Sequence, residues 1–103
     1  MILQLEIDKI DPGRYEAHCD SHKTTCHESI SAVLKHYGED IPPDFCQFVE
    51  VRYGGVSLGT TAVTRMAKEP EVMARELTGL LAAVHRATDE MEHKRATMPK
   101  PFV

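Results

Sequence analysis

The chain has no apolar run near the ~20 residues that a membrane span requires. Its first ten residues, MILQLEIDKI, alternate apolar with polar side chains instead of setting a basic start before an apolar block. Neither a membrane span nor a secretory leader is expected, and the expected compartment is the cytoplasm. A basic stripe is missing too: 12 Lys and Arg stand against 16 Asp and Glu, a formal net charge of −4. Phosphate recognition draws on clustered cations, so nucleic acid and anionic membrane are not expected partners. Cysteine is scarce and odd in number, three residues with no CxxC pair. That does not suggest a disulfide framework, and free thiols are expected. No motif sets a nucleophile at a sharp strand-to-helix turn, and the glycine-containing RYGGVSLG joins two β-rich runs, so it does not lead into a helix as a phosphate loop would.

What is present reads as hairpins and helices. Leu3, Leu5 and Ile7 fall on one face and Gln4, Glu6 and Asp8 on the other, the period of a half-buried strand. Asp11-Pro12-Gly13-Arg14 supplies turn residues, and Tyr15, Ala17 and Cys19 resume the alternation against Glu16 and His18, which predicts a hairpin. Thr25, Cys26, His27 and Glu28 form a capping box with Thr25 as N-cap. Ile30, Val33, Leu34 and Tyr37 follow at helical spacing and Gly38 suits a left-handed C-cap, so a helix is expected over about 26–37. Residues 23–28 admit a second reading as a third strand, with the helix starting near Ser29.

The prolines of EDIPPD interrupt the chain. FCQFVEVRYGGVSLGTTAVT then reads as a second hairpin turning at Gly54-Gly55. That turn would set Tyr53 against Val56, Val51 against Leu58 and Val49 against Thr60 on the buried side, with Cys46, Phe48, Glu50 and Arg52 opposite. From Pro70 a helix is expected to about 94, with an apolar stripe of Val72, Met73, Leu77, Leu80, Leu81, Val84 and Met91. MPKPFV cannot continue it, and 96–103 is expected to be a flexible tail.

The expected fold class is therefore α+β: a single domain over 1–103 in the order β-β-α-β-β-α, an antiparallel four-stranded sheet with two helices packed on one face. Cys46, Phe48 and Val63 would give the other face a mixed apolar character, and Gly79 with Ala82 and Ala83 a small-residue patch on the last helix. Phe48, Val63, Gly79 and Ala83 are the candidate interface residues, and a homodimer is the expected assembly.

Two stretches carry metal-ligand side chains. In HCDSHKTTCH, residues 18–27, the best trio for Zn2+ is Cys19, His22 and Cys26. The expected strand and helix turn Cys19 and Cys26 inward and His18, His22 and His27 outward, so buried thiols and solvated histidines also account for the stretch without metal or other cofactor. On the last helix His85, Asp89 and His93 are spaced i, i+4, i+8, and a second element or subunit would have to complete a coordination sphere. The leading expectation is a small non-catalytic module that homodimerises and binds another protein or a small ligand. A metal-binding or metal-sensing protein and a small enzyme of unknown reaction are the alternatives.

Overall fold

The computed structural model describes residues 2–20, 22–42 and 44–97. Strands β1 (Ile2–Asp11) and β2 (Arg14–Cys19) form the first hairpin. A short strand β3 (Thr25–His27) and helix α1 (Ile30–Asp40) follow. The second hairpin, β4 (Phe48–Tyr53) and β5 (Val56–Ala62), turns at Gly54 and Gly55, whose φ angles of +57° and +90° suit residues without a Cβ. Two helices close the described chain, α2 (Val63–Lys68) and α3 (Pro70–Thr97). The tail residues 98–103 lie outside the described residues, and 96–97 belong to α3.

The fold is α+β, but the sheet is mixed and five-stranded, in the order β3-β2-β1-β4-β5. It is not the all-antiparallel four-stranded sheet expected. The difference comes from β1, which pairs antiparallel with β2 and parallel with β4. A parallel pair needs a long crossover, and the chain supplies one by leaving β2, passing through α1 and returning beside β1. Leu5 and Ile7 then sit between Cys19 and Ala17 on one side and Val51 and Tyr53 on the other. Both are fully buried.

Residues 25–27 pair with β2, Thr25 opposite Ala17, so the third-strand reading holds and the capping box at Thr25 does not form. Ser29 is the N-cap instead; its hydroxyl accepts from the Ala32 N–H at 3.1 Å. Nor does Gly38 end α1. The helix runs on to Asp40, and the Ile41 N–H donates to the Tyr37 carbonyl at 3.0 Å. Gly38 is needed where α1 meets α2: a Cβ there would lie 2.4 Å from the Ala67 nitrogen.

The second hairpin turns as expected, with Tyr53 opposite Val56, but its register shifts between Glu50 and Arg52. Val49 therefore faces Thr61, not Thr60, and Thr61 is buried. Gly59, at φ +74°, lies in the matching part of β5, where an extra residue bends the strand. Val63 and Met66 of the unexpected helix α2 are buried. Arg65 links that helix to the next through Glu69 at 3.3 Å and Glu76 at 2.8 Å.

One apolar cluster unites the inner sheet face (Leu5, Ile7, Val49, Val51) with Val33, Leu34 and Tyr37 of α1, Met66 of α2, and Met73 and Leu77 of α3. Each such side chain, once buried, contributes roughly 1.5–3 kcal/mol. Among the described residues no helix is long and apolar enough to cross a membrane.

At the sheet's edge Thr25 Oγ1 hydrogen-bonds both His27 Nε2 and Tyr37 Oη at 2.8 Å, and the His27 ring lies 5.0 Å from that of His36. Burial and then the neighbouring His36 push the His27 pKa below its usual value. The folded state thus binds this proton more weakly than the unfolded chain, whose histidine titrates near ~6.5. Stability is unaffected well above that pH. It falls as pH drops through the unfolded value and levels off below the folded one. Chemical denaturation from neutral to mildly acidic pH should show this loss, and His27→Gln should reduce it; an unchanged pH dependence in that variant would count against the assignment.

Candidate functional site

The structure separates the residues of HCDSHKTTCH. Cys19 lies in the core, its thiol pushed up to about 11 by burial first and then by Asp20 and Cys46. Cys26 is exposed, correcting the inward orientation expected of it, because residue 26 is the outward position of β3, opposite Glu16. His27 is correspondingly half-buried against Tyr37 and not solvated. His22 is exposed, its Nδ1 3.2 Å from the Cys19 carbonyl oxygen. Cys19 and Cys26 thus point to opposite faces of the sheet. Among the described residues no group of three His, Cys, Asp or Glu is placed to hold a metal ion.

On α3, His85 and Asp89 are exposed, while the side chain of His93 lies outside the described residues. The interface candidates do not form one patch. Phe48 is half-exposed on the outer sheet face, whereas Gly79 and Ala83 are exposed on α3, on the other side of the sheet. Val63 is buried in the core, because the chain has left β5 and begun α2 at that residue. Cys46 is also buried and not on the outer face. It precedes β4, and its thiol donates to the Phe48 carbonyl at 3.0 Å.

The outer sheet face is mainly polar. His18 Nε2 sits 3.1 Å from Glu16 and 3.5 Å from Asp8, and Arg52 Nε lies 3.0 Å from Glu50. The large apolar side chains exposed on β1 and β4 are Ile2 and Phe48, which pair at one end, and Ile10 near the other end of β1. The face has little apolar area to offer a second copy.

The thiols differ in accessibility. Cys26 is exposed, whereas Cys19 and Cys46 are buried. Reaction needs an accessible thiolate. Native protein in mildly alkaline buffer should release one fast equivalent of thiol to a disulfide reagent and three after denaturation. Three fast equivalents in the native state would contradict the burial.

A run of uncovered apolar side chains lies along α3. Its stripe begins in the core with Met73 and Leu77 and passes to Leu81, which packs on the second hairpin's turn near Gly54. From 82 to 91 every side chain is exposed. The helix continues to Thr97, so residues 82–97 extend about 24 Å past that contact at ~1.5 Å per residue. The molecule measures 62 × 29 × 25 Å. Along it Leu80, Val84 and Met91 are 41%, 49% and 63% exposed. Gly79 meets no neighbouring atom.

No family model, curated protein or solved structure matches the chain. Function therefore rests on the geometry.

Sequence reasoning named the stripe but missed that α3 outgrows its own domain. A signal was available in the lengths: a helix of about 25 residues is roughly 37 Å long, while a six-residue strand spans roughly 20 Å. A helix on a sheet of short strands has to overhang it.

Proposed function

We propose that the protein is a cytoplasmic, non-catalytic interaction module that homodimerises through α3. The observation that carries this reading is the apolar stripe of α3, which continues uncovered beyond the last residue packed on the domain. An isolated helix of about 16 residues is marginal in water, because its hydrogen bonds barely offset the entropy of ordering the backbone. Covering the stripe stabilises that segment and removes Val84 and Met91 from solvent.

A second copy supplies a matching stripe. Leu80, Val84, Ala87 and Met91 are alternately four and three residues apart, the spacing of a coiled-coil seam. Antiparallel pairing about a two-fold axis between His85 and Arg86 sets Leu80 against Met91 of the second copy and Val84 against its Ala87. Symmetry repeats both contacts. An interface of this length buries on the order of 1,000 Å², at the lower end of specific interfaces, where weak and transient association is found.

Light scattering after size exclusion, with sedimentation equilibrium over a concentration series, tests the reading. A mass rising towards twice 11.6 kDa is expected. A constant monomer mass up to roughly 100 μM would sink it.

A further inference from the structure

A pocket of about 410 Å³ opens where the end of α1, the start of β4 and the β5–α2 junction meet. Its size is that of small-molecule sites. Ile41, Cys46, Phe48, Ala62 and Val63 make the wall mainly apolar, and Glu39 is the charged side chain among its lining residues. The wall is held by backbone, since α1 is seated against Met66 and Ala67 of α2 at Gly38.

The electrostatics of this pocket have one sign. Glu39 and Asp40 stand in the last turn of α1, and no basic residue occupies that turn. The carbonyl end of a helix carries partial negative charge, so acids there repel it, and a cation at that end relieves the repulsion. Phe48, which opens β4, is also among the lining residues. Apolar walls, one carboxylate and a helix carbonyl end together describe a receptor for a positively charged amphiphile.

We propose that this pocket binds a small organic cation, a protonated amine on an aromatic or aliphatic body. The body packs against Ile41, Ala62 and Val63, and the ammonium group lies at Glu39 and the end of α1. A carboxylate on the same body is disfavoured by the same charges.

The test uses three naphthalene probes that share the ring and a one-carbon substituent and carry charges of about +1, 0 and −1 at neutral pH: 1-naphthylmethylamine, 1-naphthalenemethanol and 1-naphthoate. Each is titrated into the full chain and followed by amide chemical shifts. The amine should shift residues 38–41, 46–48 and 62–64 and bind about fivefold more tightly than the alcohol, with the naphthoate weakest. Glu39→Gln should weaken the amine about threefold and leave the alcohol unchanged. Ala62→Phe, which fills the pocket, should abolish binding of all three. If that variant fails to fold, the Glu39→Gln comparison decides alone. Naphthoate binding as tightly as the amine, shifts centred elsewhere, or no binding of any probe at millimolar concentration would overturn the proposal.

Discussion

Gly38→Ala is expected to lower the thermal midpoint by more than ~10 °C. At an open helical position the change would stabilise the protein, since glycine costs about 1 kcal/mol relative to alanine within a helix. At residue 38 the added Cβ would sit 2.4 Å from the Ala67 nitrogen and 2.8 Å from the Met66 carbonyl carbon. Both are backbone atoms and cannot rotate aside. The helices must separate, which loosens Tyr37 and Met66 in the core between them. Overpacking of this kind costs roughly 3 kcal/mol, and each kcal/mol moves the midpoint of a domain this size by about 4–8 °C. Gly79→Ala is the internal comparison, because nothing lies within 4 Å of its added Cβ; it should stabilise α3 by up to about 1 kcal/mol. Calorimetry of the two variants beside the parent checks both signs. A Gly38→Ala midpoint within a few degrees of the parent would show that the crossing is looser than described.

Val84→Glu is expected to abolish the proposed self-association through α3. Val84 is half-exposed and lies beyond the residues of α3 that join the core, so its replacement leaves the domain's own packing intact. In the two-fold arrangement each copy would bury a carboxylate opposite Ala87 with no partner charge. An uncompensated buried charge costs several kcal/mol, enough to raise the dissociation constant by two or more orders of magnitude. The variant should scatter as a single chain where the parent is dimeric, and its helical circular dichroism should fall as the unsupported end of α3 frays. Met91→Glu should act in the same direction, whereas Ala82→Glu, off the stripe, should not. A Val84→Glu variant that keeps the parent's mass would place any self-association elsewhere.

Much of the fold was legible because local chemistry is strong where it is periodic. The alternation of β1 and β2, the Gly54-Gly55 turn and the start of α3 at Pro70 match the structure, each resting on neighbours in sequence. Failures occurred where a residue had two local uses. Thr25 and Ser29 both suit an N-cap; β2 offers Thr25 a strand partner and Tyr37 offers its hydroxyl a hydrogen bond, so Ser29 caps the helix. Gly38 suits a C-cap and also a close helix crossing, and only the position of α2 decides between them. At the candidate site, the opposed orientations of Cys19 and Cys26 depend on that same choice of strand over helix at residues 25–27.

The sequence by itself determined the α+β class, the two hairpins, the helix-forming segments of α1 and α3 and the apolar stripe of α3, since each follows from side-chain period and turn chemistry within one segment. Tertiary structure alone decided that β1 pairs parallel with β4, that residues 63–68 form α2 and Gly38 admits it, and that α3 packs on the domain through Met73, Leu77 and Leu81 and on nothing from 82 to 91. Alternation looks the same in parallel and antiparallel strands, and a stripe looks the same whether or not something covers it. What each segment meets depends on where the chain returns in space, and no local pattern records that.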